Sequence, residues 1–446
     1  MTLRIDYEFK IDGLYHSVNY YRSETTMDIG AMPAPVATGI DSLTYSDLTV
    51  EEGKTYFVRF GAVGTGGIEK ISDEIKVIAK SSLWFEINIV MDMLSSAANS
   101  YHTKTGTAST SNMSATLDSS AKWAGGVLAP NGKIYCVPVN ATDILIIDPI
   151  TNTATRSNMG ATLSDTNKWR GGVLAPNGKI YCIPYNATDI LIIDPVNNTA
   201  ARSAMGASLT GTAKWFGGAL GPDGKIYCAP YSSADILIID PVTNTATRSN
   251  MGAPIGSGVG KFIGGVLAPN GKIYCIPYAS ESILIIDTII NTAIFSTMGL
   301  NLGGINKWRS GALAPNGKIY CAPDFTTDIL IINPEANTAT RSNMGASLTD
   351  TTKWFGGALG PDGKIYCAPL DSTDVLIINP IANTATRSAM GATLTGTGKF
   401  MGAVLASNGK IYGVPYVSSN ILIIDKHADV AALPSKVVLS PHLNKF

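Results

Sequence analysis

Charge is scarce in this chain of 446 residues: 15% Asp, Glu, Lys and Arg, with a formal net charge of −1. A balance so small leaves no basic footprint for a nucleic-acid backbone and no acidic tail. Histidine is rarer still, four in all, with none between His102 and His427. Without convergent ligands no metal site is expected, and no cofactor. No stretch of about 20 apolar residues occurs, so no membrane insertion is expected. The opening Met1-Thr-Leu-Arg-Ile-Asp6 lacks the basic-then-apolar pattern of a secretory leader. The expectation is a soluble protein, intracellular or released by another route such as assembly into a particle.

What the chain has in quantity is one repeated segment. Seven near-copies run from Asn112 to the C-terminal region, with an aromatic position at Trp123, Trp169, Trp215, Phe262, Trp308, Trp354 and Phe400, spaced by 46 residues and once by 47. The shared pattern is Lys-Trp-x-Gly-Gly-x-Leu-x-Pro-Asn-Gly-Lys-Ile-Tyr-Cys-x-Pro, then Asp-Ile-Leu-Ile-Ile-Asp-Pro, then Asn-Thr-Ala-Thr-Arg-Ser. A repeat of roughly 40–50 residues with four short strand signals is that of a β-propeller blade. The expected fold is therefore all-β: a seven-bladed propeller of four-stranded blades over 103–446, after a small β-sandwich over 1–80 and a link over 81–102.

The strands follow from local chemistry, with the second copy as example. Strand A, Trp169 to Ala175, carries Gly171-Gly172 for the crowded axis. Pro176-Asn-Gly-Lys179 is a turn, and Lys179 to Pro184 is strand B. Asp189-Ile-Leu-Ile-Ile-Asp194 is an unbroken apolar strand C, suited to burial on both faces, and the polar Asn198 to Ser203 is an outer strand D. Thr105 to Met113 aligns with the ends of the other copies, so a strand at 104–111 is expected to complete the last blade. The tail from Lys426 competes for that role through His427-Ala-Asp-Val-Ala-Ala-Leu-Pro-Ser435.

All six cysteines (136, 182, 228, 275, 321 and 367) occupy one repeat position, with Gly413 in the last copy. Packed sheets lie about 10 Å apart and a disulfide needs Cα atoms within about 7 Å, so they read as small buried hydrophobes. Lys122, Lys168, Lys214, Lys261, Lys307, Lys353 and Lys399 recur before each aromatic. Either these lysines and the recurring carboxylates Asp143, Asp189, Asp235, Asp328 and Asp374 pair with one another or with Arg156, Arg202, Arg248, Arg341 and Arg387, or the lysines ring the channel mouth and hold an anion or acidic sugar.

Variation marks the candidate site. The A–B and C–D turns hardly change, whereas the D–A and B–C loops do, and alternating strand direction puts both on one face. The residue after the aromatic varies there too: Ala124, Arg170, Phe216, Ile263, Arg309, Phe355, Met401. Loops on a rigid scaffold are where binding usually sits. Arg170, Tyr185, Tyr231, Tyr278, Arg309, Asp324 and Phe325 are the candidate ligand contacts, because Arg and aromatic side chains suit sugars and interfaces. Single carboxylates are scattered over the blades without the pairing that glycoside hydrolysis needs, and no nucleophile motif occurs. No catalytic residue is expected.

In the first 80 residues, Leu48, Gly53 and Tyr56-x-Val-x-Phe60, followed by Ala62, Ser72 and Ile75-x-Val77, resemble the last strands of a fibronectin type III domain. That head, with blades of the form Gly171-Gly-Val-Leu-Ala-Pro-Asn-Gly-Lys-Ile-Tyr-Cys-Ile-Pro-Tyr185 and the ending Leu439-Ser-Pro-His-Leu-Asn-Lys-Phe446, resembles tail-associated or fibre proteins of bacteriophages and prophages. The resemblance implies a virion component. Its head would dock to other virion proteins and its propeller would meet a bacterial surface glycan or protein. A purely structural decoration or assembly protein, a polysaccharide-degrading enzyme and homo-oligomeric assembly remain alternatives.

Overall fold

The computed structural model describes residues 5–8, 17–40, 44–47, 49–51, 54–63, 69–72, 74–78, 87–90, 106–350, 352–425 and 436–439. Contacts divide the chain into two units, 1–103 with 428–444 and 104–427 with 445–446. Among the described residues there are eight sheets of four or more strands: one of five strands in the first unit and seven of four antiparallel strands in the second.

In the first unit Ser17–Ser23, Ala37–Ile40, Thr55–Val63, Glu69–Ile71 and Ile75–Ile78 build the five-stranded sheet, and Ile5–Glu8 pairs separately with Thr44–Asp47. Period-2 burial of Val18, Tyr20, Tyr56, Val58 and Phe60 makes its core. Buried Asp47 accepts hydrogen bonds from the Tyr20 hydroxyl at 2.8 Å and from Arg22 at 2.6 Å. Of the 81–102 link, 87–90 is described: Ile87–Val90 pairs with Lys436–Leu439. Asp12-Gly13, a pair that suits a hairpin turn, and the chain end after Leu439 lie outside the described residues.

Each repeat folds as one sheet, for example Trp169–Leu174, Ile180–Pro184, Ile190–Asp194 and Thr199–Ser203. The last sheet consists of Phe400–Leu405, Ile411–Pro415 and Ile421–Asp425, with Thr107–Ser111 as its outer strand. The N-terminal strand, not the tail, closes the ring. Packing closes it as well. Tyr412, Val414, Ile421 and Ile423 of the last sheet share one core with Trp123, Ile134, Cys136 and Leu145 of the first. The same pattern unites each neighbouring pair, so each core between blades belongs to two of them.

The buried aromatic organises each blade. Trp169 is fully buried, its indole N–H donates to the Asp189 carbonyl at 2.8 Å, and the Arg202 guanidinium, paired with the Asp189 carboxylate at 2.9 Å, lies 5.2 Å over its ring. The same trio recurs at Trp123, Trp215, Trp308 and Trp354. Where Phe replaces Trp, both partners change too. Ser282 and Phe295 accompany Phe262, the two rings stacking at 6.0 Å, and Asn420 with Thr110 accompany Phe400. The cysteines are free and buried between blades, and burial pushes the Cys275 and Cys367 thiols up to about 12. These thiols are protonated, inert fillers of space.

Two features set the axis. The first of the paired glycines holds a left-handed backbone at a bulge, and all but Gly264 nearly touch the next: a Cβ on Gly171 (φ +80°) would lie 2.9 Å from the Gly217 Cα. At the fifth blade Ser310 replaces this glycine, keeps an ordinary φ, and accepts a bond from the Gly356 N–H at 3.1 Å. At the periphery the outer strands are not free edges. The N–H of Ala154 donates to the Met113 carbonyl at 2.8 Å, and so on around to Ala108 and Met390 at 2.7 Å.

Candidate functional site

The recurring lysines define the rim of the variable face through their backbones. Six of the seven lysine N–H groups donate to the first B–C loop residue of the preceding blade: Lys168 to Val139, Lys214 to Tyr185, Lys261 to Tyr231, Lys307 to Tyr278, Lys399 to Leu370 and, at closure, Lys122 to Tyr416, all at 2.8–2.9 Å. Each lysine carbonyl in turn accepts from that loop residue of its own blade, as Tyr185 N–H to Lys168 at 2.9 Å. This belt joins D–A and B–C loops on one face and fixes where their side chains stand.

The lysine side chains do neither of the things expected of them. All seven are buried, and their ammonium groups bond to backbone carbonyls, with one carboxylate, Asp118, within ion-pair distance of Lys122 at 3.7 Å. Lys214 Nζ reaches the carbonyls of Tyr185, Ala187 and Gly211 at 2.8–3.1 Å; Lys168 Nζ takes Ala141 and Asp165; Lys122 Nζ takes Asp118, Ser120 and Ser418. Burial lowers Lys168, Lys214, Lys261, Lys307 and Lys353 to about 8. The carbonyls beneath the loops satisfy the N–H donors, so the lysines tie loops together and present no ring of charge. The strand C carboxylates pair with the Arg of strand D, the second of the pairings expected of them, as Arg156 with Asp143 at 2.8 Å.

Inside the belt, the residues after each aromatic and the first B–C residues meet in one cluster. Ala124, Val139, Phe216, Ile263, Tyr278, Phe355, Leu370 and Met401 are buried there, with half-buried Tyr185, Tyr231 and Tyr416 against them. Phe216 and Phe355 stack at 5.6 Å, the Arg170 guanidinium lies 5.2 Å from Phe216, and Arg309 lies 5.9 Å from Phe355. Two cations thus flank a stacked aromatic pair. Arg170 also sits 4.2 Å over Tyr185, and Tyr231 packs on Tyr185 at 5.5 Å and on Tyr278 at 6.3 Å.

The two arginines occupy equivalent positions three blades apart and have unlike partners. Arg309 Nε pairs with Asp324 at 2.6 Å, and its Nη2 donates to the Tyr278 hydroxyl at 3.3 Å. Asp324 is 0% exposed, burial pushes its carboxyl up against the opposing pull of Arg309, and its Oδ1 has no partner. In the second blade the position of Asp324 holds Tyr185. There Arg170 Nη2 donates to Asn167 Oδ1 at 3.2 Å, and Nε is buried without a partner.

Six of the seven candidate residues therefore come together: Arg170, Tyr185, Tyr231, Tyr278, Arg309 and Asp324. Phe325 does not; it is 44% exposed and outside the cluster. Phe216, Phe355, Met401, Leu370 and Tyr416 belong to the cluster and were not among the candidates. Their signal was present, since the residue after each aromatic runs Arg, Phe, Ile in blades two to four and Arg, Phe, Met in blades five to seven. On the rim of the second blade, Asp165, Thr166, Asn186, Ala187, Thr188 and Arg202 line a polar pocket of about 230 Å³. Among the described residues no group of three or more His, Cys, Asp or Glu side chains is placed to hold a metal.

No family model and no curated protein sequence matches the chain. Solved structures do. A streptogramin B lyase aligns with a TM-score of 0.58 at 12% identity, over 72% of this chain and 97% of its own. A catalytically inactive virginiamycin B lyase variant from Staphylococcus aureus, solved with quinupristin, aligns at 0.58 and 11%, over 72% and 100%. The extracellular domain of a one-component system from B. thetaiotaomicron aligns at 0.51 and 11%, over 84% of this chain and 52% of that one. At such identities the likeness is one of fold: a β-propeller of repeated four-stranded antiparallel blades.

Proposed function

We propose that the variable face of the propeller binds a bacterial surface glycan or protein without catalysing a reaction. In this reading the chain is a tail- or fibre-associated virion component, and its first unit, a small sandwich of the fibronectin type III kind, docks with the link to other virion proteins. One observation carries the binding reading. A scaffold whose backbone repeats seven times abandons its repeat at the mouth, where it collects two guanidinium groups, one buried carboxylate and six aromatic rings. Nothing in the belt or the interblade cores requires that diversity, since Ala124 serves the same position in the first blade.

The absence of histidine from 103–426 supports binding over lyase chemistry, since the inactive lyase among the structural neighbours carries a histidine-to-alanine substitution. Glycoside hydrolysis lacks support too, because the one carboxylate in the cluster is committed to Arg309. The test is co-sedimentation of the full chain with intact bacteria of several strains, with and without surface polysaccharide. Saturable binding that is lost with the polysaccharide, or with substitutions at the mouth, supports the reading. Binding to no strain transfers the weight to a structural virion role, and shortening of the polysaccharide to an enzyme.

A further inference from the structure

Of the nine described arginines, eight have a carboxylate within 4 Å: Arg22, Arg59, Arg156, Arg202, Arg248, Arg309, Arg341 and Arg387. Arg170 is the exception. It stands at the mouth with its cationic plane on Tyr185 at 4.2 Å and beside Phe216 at 5.2 Å. Of the five N–H donors of a guanidinium, its one hydrogen bond, to Asn167, uses a single donor. An arginine held between aromatic rings is poorly hydrated, and with Nε buried its two terminal nitrogens form the planar fork that matches a carboxylate.

The equivalent arginine shows what this environment selects. Arg309 occupies the same place three blades on, beside Tyr278 and Phe355, and there the chain supplies the carboxylate itself, Asp324 at 2.6 Å. At the second blade the chain puts Tyr185 where that aspartate stands, leaving the partner to come from outside. The lysines are held by backbone carbonyls beneath the loops, and of the two arginines in the cluster Arg170 is the one without a carboxylate. Tyr185, Tyr231 and Tyr416 are half-buried beside it. Such rings offer the apolar platform on which a sugar ring lies.

We infer that Arg170 is the anchor of an acidic-sugar subsite: the guanidinium takes the carboxylate of a uronic-acid residue, and Tyr185 with Tyr231 supports its ring. This rests on the binding role proposed for the face and names its ligand class. The assignment requires that charge and fork both matter, and that an internal carboxylate competes.

The experiment is calorimetric titration of the full chain with a glucuronic-acid oligosaccharide and with its carboxyl-reduced counterpart, which keeps the rings and removes the charge. Binding of the acidic form only is expected, weakened roughly tenfold or more by Arg170→Gln and by Arg170→Lys, since the latter keeps charge without the fork. Tyr185→Asp, which copies the Arg309–Asp324 arrangement, is expected to abolish binding although Arg170 remains. Circular dichroism and an unchanged unfolding midpoint establish that each variant is folded. Equal binding of both oligosaccharides, or full binding by Tyr185→Asp, overturns the subsite. So does a failure to bind the acidic form by protein that still sediments with bacteria, and the wider binding role then survives. Failure in both assays removes both.

Discussion

Trp215→Phe is the sharpest probe of how a blade is held. Trp215 is fully buried between the second and third blades, packed with Tyr181, Ile183 and Ile190 of one and Ile226, Cys228 and Leu237 of the other. Its N–H donates to the Asp235 carbonyl at 2.8 Å and Arg248 lies 5.4 Å over its ring. Phenylalanine keeps most of the apolar volume. It loses a hydrogen bond with a net contribution of about 1 kcal/mol and leaves a buried carbonyl unpaired at about 1–3 kcal/mol. It also weakens a cation–π contact of about 0.5–1 kcal/mol. Because these contributions overlap, the expected loss is about 2–4 kcal/mol, against about 3–5 for Trp215→Ala. The fourth blade shows how a phenylalanine is accommodated, with Ser282 and Phe295 in place of the aspartate and arginine. The triple variant Trp215→Phe, Asp235→Ser, Arg248→Phe should therefore be more stable than the sum of its three single changes, by a coupling of at least about 1 kcal/mol. Urea unfolding with an unchanged slope measures both. A Trp215→Phe midpoint indistinguishable from wild type, or strict additivity in the triple variant, would refute the claim that Trp, Asp and Arg act as one unit.

Three further outcomes are expected. Gly171→Ala should destabilise strongly, since it combines a positive φ with a Cβ 2.9 Å from the Gly217 backbone; Gly264→Ala, at φ +76° with nothing within 4 Å, should show only the conformational cost of about 1–2 kcal/mol, and similar midpoints for the two would contradict the axial packing. Ala108→Pro removes the N–H that donates to Met390 at 2.7 Å in the closing strand, and should lower the midpoint and broaden the transition; an unchanged melt would mean that Thr107–Ser111 does not hold the ring. Asp194 is held down at about 2, first by the Asn197 N–H and then by its amide; a depressed carboxylate contributes stability above its unfolded value near 4 and loses it as pH falls toward 2. Asp194→Asn should therefore flatten the acid limb of stability between pH 4 and 2 while keeping the turn, as Asn379 does with its bond from Ile381 N–H at 3.1 Å; an acid limb as steep as wild type would refute the assignment.

The blade was legible from the residues because its signals are local and repeat. Glycine at the bulge, Asn-Gly in the turn, an unbroken Ile-Leu-Ile-Ile strand and a terminating proline each act within a few residues, and copies at a fixed spacing make each strand's place unmistakable. The face that carries variation was legible for the same reason, since strand alternation alone puts D–A and B–C loops together. In the first unit, Ala37–Ile40 and Thr44–Asp47 are not legible in the sequence, because they are short and carry no strong alternation.

What only the tertiary structure decided concerns side chains whose partners lie in another blade. A lysine repeated seven times reads as a charge, yet its surroundings are loop carbonyls of its own blade and, for Lys122, Lys168, Lys214 and Lys353, of the preceding one, and no sequence distance reveals them. Arg170 and Arg309 look alike after their tryptophans. Closing the ring sets Tyr185 beside one and Asp324 beside the other, and stacks Phe216 on Phe355 although 139 residues separate them in the chain. The repeat determines the scaffold because short-range geometry suffices to build it. The mouth is settled by convergence on the axis, where residues from all seven blades meet and only their joint arrangement determines which charge is left without a partner.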